Sequence, residues 1–307
     1  VASCSLPKCG KIVLSILLLA GAVLLLRKPM KRAFWDKAKT VSTGRFQDPE
    51  GIALDPEGNL FVADEDRSVL FMLDKDGKIV AQAATLPGIE RVTGGDSLVV
   101  LGPRHVVAIG DHCLLELKVV DGKFELVRQI SRRGHGEGEF EDPEGISLDR
   151  ATREIYATDE DHRRVLVFDK EGKYLRKIAV EADPESVCVF EDRVYVTMSK
   201  AGWVGCYGRD GALRFKFGSD HLREPDCAAV SPDRKLYVTD QRANRIQVFD
   251  LDGKFLFTVG RAGTGPGEFD QPEDLAFDAD GNLWVADGDN HRIQVLTRDG
   301  KFIRLIE

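Results

Sequence analysis

Outside one N-terminal run, no segment of the 307 residues repeats apolar side chains at a helical 3.6-residue period over a useful length. Helical bundles and strand–helix alternations are thereby excluded. An excess of positive charge is also missing, since 43 Lys and Arg face 51 Asp and Glu, for a net charge of -8. Nucleic-acid binding rests on cations that neutralise phosphates, so the balance argues against a nucleic-acid partner. It favours metal ions or basic partners instead. None of the six cysteines has zinc-site spacing. Cys113, Cys188, Cys206 and Cys227 fall at strand positions and read as small buried hydrophobes, while Cys4 and Cys9 precede the apolar run. The six histidines are scattered, and no G-x-S-x-G nucleophile signature is present. Gly134–Gly138 and Gly263–Gly267 are glycine-rich, but they lack the Lys-Ser/Thr ending of a phosphate loop and precede strands.

Among the segments that are present, Ile12 to Leu26 form an apolar run broken only by one Ser and one Gly. It is shorter than the ~20 residues usual for a spanning helix, though flanking residues that snorkel extend its reach. A signal peptide is the rival reading. Cleavage at Ala20-Gly21-Ala22 would leave the greasy terminus Val23-Leu24-Leu25-Leu26, so an uncleaved anchor is expected. The chain then divides into a tail (1–11), a transmembrane or signal-anchor helix (12–26), a basic linker (27–35) and a folded domain (36–307). Arg27, Lys28, Lys31, Arg32, Lys37 and Lys39 follow the run and point to a cytoplasmic domain. A short basic region with Lys8 and Lys11 also opens export signals, and large domains translocate regardless of flanking charge. The expectation adopted is a membrane-anchored domain on the periplasmic or extracellular side.

A long-period repeat governs the rest. Residues 47–78 (QDPEGIALDPEGNLFVADEDRSVLFMLDKDGK), 141–173 (EDPEGISLDRATREIYATDEDHRRVLVFDKEGK), 223–254 and 270–301 are close copies, and weaker copies begin at Asp183 and near Gly88. Each copy breaks into four short strands rich in Val, Ile, Phe and Tyr. Asp76-Gly77, Asp121-Gly122, Glu171-Gly172, Asp210-Gly211, Asp252-Gly253 and Asp299-Gly300 each precede a fourth strand. Such acid-Gly pairs suit two-residue hairpins, which need positive φ. Six turns predict six four-stranded blades, an all-β six-bladed propeller. Residues 36–46 resemble a fourth-strand segment and are expected to seal the ring against the C-terminal blade.

The pattern P-x-G-[IVL]-A-x-D-x-x-G-N-[LI]-[YWF]-V-[AT]-D-x-x-N-x-R-[IV]-Q-V-[FL] resembles the NHL repeat. Pro272 to Leu296 carries almost all of it and Pro225 to Phe249 most. The resemblance covers about five-sixths of the chain and implies a six-bladed propeller. It implies no single activity, because the fold hosts binding scaffolds and enzymes alike.

The residue after the repeat's Pro enters the innermost strand, at one mouth of the channel. It is Glu50, Glu144, Glu185, Asp226 and Glu273. In the degenerate second blade, aligning Val92 with Ile52 places Glu90 there. Six carboxylates at one opening would repel, by ~3 kcal/mol for a pair ~6 Å apart at an effective dielectric of 20, unless they spread apart, take up protons or bind cations. Oxygen-only ligands suit Ca²⁺ or Mg²⁺. A second acidic set, Asp64, Asp159, Asp240 and Asp287, ends the second strands near Arg164, Arg245 and Arg292. It reads as structural, bonding loop amides and these Arg. The leading functional expectation is a membrane-tethered scaffold that binds a protein or a small cationic ligand at an acidic mouth, with Ca²⁺ as a candidate ion. The alternative is a Ca²⁺-dependent hydrolase of the lactonase or phosphoesterase kind, since Glu50-Gly51 and Glu144-Gly145 look similar to the lactonase ligand pair. No catalytic residue is assigned.

Overall fold

A computed structural model describes residues 44–92 and 97–307. They form six four-stranded antiparallel sheets, each a simple up-and-down meander. Blade 1 holds Pro49–Leu54, Leu60–Asp64, Val69–Leu73 and Ile79–Ala83. Blade 2 holds Leu98–Gly102, His105–Gly110, Cys113–Val120 and Lys123–Ile130. Blade 3 holds Ile146–Leu148, Ile155–Asp159, Arg164–Phe168 and Tyr174–Ala179. Blade 4 holds Val187–Phe190, Arg193–Met198, Trp203–Gly208 and Leu213–Phe217. Blade 5 holds Pro225–Val230, Lys235–Asp240, Arg245–Asp250 and Phe255–Val259. Blade 6 holds Pro272–Phe277, Leu283–Asp287, Arg292–Leu296 and Phe302–Ile306.

The strand pairings set the polarity of every blade. Pro49 lies opposite Asp64, Asp64 opposite Val69, and Leu70 opposite Ala83. The start of the first strand, the second-to-third turn and the end of the fourth strand therefore share one face, here called the mouth face. The turns before the second and fourth strands occupy the opposite face.

Alternation along the second strand drives the packing. Leu60 and Val62 face blade 6, whereas Phe61 and Ala63 face blade 2, and all four are buried. Burying such aliphatic and aromatic side chains on both faces contributes about 1.5–3 kcal/mol for each large one, and no blade could do so alone. A bulky plug just before an inner strand fills the mouth-side end of a seam: Phe46 between blades 6 and 1, Phe140 between 2 and 3, Leu222 between 4 and 5, and Phe269 between 5 and 6.

The six turns ahead of the fourth strands lie where expected, and all six glycines have positive φ, from 74° at Gly122 to 86° at Gly300. Their geometry differs from the two-residue expectation in five blades. Only Asp121-Gly122 directly joins paired residues, Val120 and Lys123. In blades 1, 3 and 5 a longer loop is organised by its first residue: the Asp74 carboxylate accepts the amides of Asp76 and Lys78 at 3.0 and 2.9 Å, as Asp169 and Asp250 do in their blades.

The C-terminal blade completes itself with Phe302–Ile306 as its own outer strand. Residues 36–43 of the expected sealing segment lie outside the described residues, as does the run 12–26. Among the described residues no helix is long and apolar enough to cross a membrane. The four cysteines at strand positions are buried, as read from the sequence, and the structure shows them free.

Candidate functional site

The inner strands come together so closely that small residues line the axis. Strand register makes Gly51, Ser97, Gly145, Ser186, Cys227 and Asp274 equivalent. A Cβ on Gly145 would stand 2.5 Å from Ser186 Cα and 2.7 Å from Glu185 O. Residues Ser97, Glu144, Gly145, Glu185, Ser186, Asp226, Cys227 and Asp274 enclose a cavity of about 10 Å³, the lower limit for a single water. Among the described residues, this level of the axis therefore has room for about one water.

Threonines tie neighbouring inner strands together. Thr158, Thr197 and Thr239, each next to last in a second strand, donate to Glu185 O, Asp226 O and Glu273 O of the following blade at 2.9, 2.6 and 2.8 Å. Each accepts an amide of its own inner strand, from Gly145, Ser186 and Cys227, at 2.7, 2.8 and 2.8 Å. The equivalent residues Ala63, Ile109 and Ala286 cannot. Between blades 6 and 1 the Asp274 carboxylate takes over and accepts the Ile52 amide at 2.8 Å.

The expected acids divide into two groups. Glu50, Glu185, Asp226 and Glu273 are buried at the mouth end of their inner strands, and Glu144 is half-buried there. Glu273 accepts a 2.6 Å bond from Gln241 of blade 5. Glu90 is misplaced by the sequence alignment. It is exposed and precedes the inner strand, which begins at Leu98. The pairing of Leu98 with Ala108 makes Leu98, not Val92, the counterpart of Ile52, so the position equivalent to Glu50 is residue 96, outside the described residues. The error arose because blade 2 lacks the Pro that marks this register elsewhere.

Two of the acids stand in triads. Asp48, Glu50 and Glu65 in blade 1, and Asp142, Glu144 and Glu160 in blade 3, each bring three carboxylate oxygens within 4.8 Å of one another. The geometry follows from pairing, because the amides of Glu65 and Glu160 donate to Asp48 O and Asp142 O at 3.0 and 2.8 Å. Lys200 of blade 4 reaches Glu160. Asp48 and Asp142 were not singled out from the sequence, although an acid on both sides of Pro49 and of Pro143 is a readable signal.

The acids that end the second strands are structural, as read. Asp64, Asp159, Asp240 and Asp287 are fully buried. Asp159 accepts the amides of Glu141 and Asp142 and pairs with Arg164 Nε at 2.9 Å, and Asp287 pairs with Arg292 at 2.7 Å. Burial raises the carboxyls of Asp64 and Asp287 above the ordinary aspartate value, while bonds to loop amides pull them back.

Proximity that sequence distance concealed brings His135 and His162 together on the mouth face, with Nδ1 and Nε2 2.6 Å apart.

Comparison with known proteins fits this architecture. The DUF5128 family model, described as a 6-bladed beta-propeller, matches residues 118–201 and 230–304. Protein brain tumor of Drosophila melanogaster is 25% identical over 134 residues, 40% of this chain and 13% of that protein. The B-box type zinc finger protein ncl-1 of Caenorhabditis elegans is 24% identical over 130 residues, 39% of this chain and 15% of that protein. The shared segment is a small part of both relatives. Virginiamycin B lyase from Staphylococcus aureus superposes with a TM-score of 0.60 at 16% identity, covering 84% of each chain. A Bacteroides thetaiotaomicron protein of unknown function superposes with a TM-score of 0.64 at 16% identity, covering 83% of this chain and 70% of that one. At such identities the likeness shows the fold alone.

Proposed function

This chain belongs to the DUF5128 family of 6-bladed β-propellers, with repeats of the NHL type, and we propose that it is a binding scaffold that engages a protein partner through its mouth face. The observation that carries this reading is the narrow axis. With a cavity of about 10 Å³ between the inner strands, binding chemistry is left to a face. The mouth face offers the two acidic triads and the exposed Asp66 and Asp161, beside the exposed Arg132, Arg163 and Arg261, so the partner surface it suits carries basic groups placed against those acids. The similarity to two much larger proteins that share one segment supports the role of a recognition module. Residues 12–26 tether the scaffold to a membrane, with the propeller on the extracytoplasmic side. The test is affinity capture with the full chain, comparing wild type, an Asp66→Lys/Asp161→Lys variant and a Lys123→Glu control on the opposite face. A partner lost only with the mouth-face variant supports the proposal. A partner retained by that variant and lost with Lys123→Glu rejects it.

The paired triads favour a second reading, in which they hold Ca²⁺. Three convergent carboxylates repel one another, and a hard divalent cation that takes oxygen ligands relieves this. Backbone carbonyls and water would complete the shell. Titration of the full chain with Ca²⁺ should release or absorb heat in wild type and much less in Glu50→Gln/Glu144→Gln. No heat and no thermal shift in wild type would remove the ion from the account and leave the protein-binding scaffold.

A further inference from the structure

His135 stands on the loop Gly134–Gly138 and is exposed, while His162 follows Asp159 on the second-to-third turn of blade 3. Their rings meet edge to face with centroids 4.8 Å apart, and His135 Nδ1 lies 2.6 Å from His162 Nε2. His162 Nδ1 lies 2.9 Å from Asp159 Oδ2, and Arg164 Nε donates to the same oxygen at 2.9 Å. Paired with Arg164, Asp159 is a carboxylate and only accepts. His162 therefore carries its proton on Nδ1 and turns a lone pair at Nε2 toward His135. Aspartate fixing one imidazole, which in turn orients a second, is the support that metal-binding histidines ordinarily have.

We propose that His135 Nδ1 and His162 Nε2 bind one borderline transition-metal ion, Zn²⁺ or Ni²⁺, in place of the hydrogen bond they now share. Zinc sits about 2.0–2.1 Å from imidazole nitrogen, and a tetrahedral angle sets the two nitrogens about 3.3 Å apart. The rings must then separate by about 0.7 Å from the observed 2.6 Å. His135 can yield, because it is flanked by Gly134 and Gly136 on an exposed loop. Its proton moves from Nδ1 to Nε2 on binding, so the imidazole stays neutral and Nδ1 becomes a ligand. Water fills the remaining positions. Glu139 and Glu141 lie near His135 but are paired with Arg132 and Arg133, so the site's affinity rests on the two imidazoles. The equivalent positions of blade 6 hold Thr264 and Asn290, whose side chain bonds Gly263 O and Asp287, so this pair belongs to blade 3. The site is independent of the acidic triads, because imidazole selects zinc, nickel and copper where carboxylates alone select calcium and magnesium.

The test is calorimetric titration of the full chain with ZnCl₂ and NiCl₂ in excess Ca²⁺, paired with imidazole ¹⁵N NMR. Wild type should bind one equivalent, with the ring nitrogens of His135 and His162 shifting together. His135→Ala and His162→Ala should each weaken binding about tenfold or more. The exposed His135→Ala variant should keep the wild-type melting curve, which separates ligand loss from misfolding. No binding by wild type, equal binding by His135→Ala, or shifts confined to other histidines would overturn the proposal.

Discussion

Asp274 of blade 6 accepts the backbone N–H of Ile52 in blade 1 at 2.8 Å, across the seam where the ring's two ends meet. Every other inner-strand position equivalent to Asp274 is Gly, Ser or Cys, and the carboxylate appears at the one junction where covalent continuity is missing. Asp274→Ala should lower stability by about 1.5–3 kcal/mol in urea unfolding, the range for a buried bond to a charged group. Asp274→Asn keeps an acceptor and should recover most of it. An Ala variant as stable as wild type would mean that the seam is held by Phe46 and its apolar neighbours alone.

The threonine ties make a parallel prediction. Thr239→Val leaves the Cys227 amide and one lone pair of Glu273 O without their 2.8 Å partners. Its cost should be about 1–3 kcal/mol, against little change for Thr85→Val, an exposed threonine between blades 1 and 2. Equal effects of the two changes would contradict the assigned role.

Burial governs the thiols. It pushes Cys113 up to about 11 and Cys188 up to about 12, so the thiolate is scarce at neutral pH and reagent access is closed. Cys113, Cys188, Cys206 and Cys227 should resist an aromatic disulfide reagent in the native chain and react fully in denaturant. Prompt native-state labelling, mapped to these residues by mass spectrometry, would contradict the packing.

Burial also lowers the imidazole of His105 below the ordinary 6.5, outweighing the pull of Glu116, which it contacts at 2.7 Å. Lys118 and Arg153 act in the same direction as burial, and Arg128 pairs with Glu116. With a depressed folded value, the His105 contribution is fully present above about pH 6.5 and is lost as pH falls through the folded value. His105→Gln should therefore flatten the decline in melting temperature between pH 7.5 and 5.5. A decline of unchanged steepness would assign that loss of stability to other groups.

Much of this fold is readable in the sequence. Val69–Leu73 and Phe255–Val259 are bounded as the apolar pattern and the turns bound them, and the six glycine turns count the blades. Blade 2 was misread because it lacks the Pro that fixes strand entry, and its alternation fits Leu98 as readily to a second strand as to a first. The acids of the site were legible through the Asp-Pro-Glu repeats. Their grouping by threes was not, because Glu65 and Glu160 join the triads only when the second strand folds back beside the first. Likewise the His135–His162 contact spans 27 residues and depends on where a glycine-rich loop comes to rest, which no periodicity encodes.

Site-specific photocrosslinking tests the mouth-face account most directly. A benzophenone side chain would be placed at Asp66, Asp161 or Lys123 of the full chain in a lysate of its own cells. Asp66 and Asp161 lie on second-to-third turns of the mouth face, and Lys123 lies beside a fourth-strand turn on the opposite face; all three are exposed. The account predicts one discrete adduct from positions 66 and 161 and none from 123. An adduct from 123 alone, or equal labelling from all three, would contradict it.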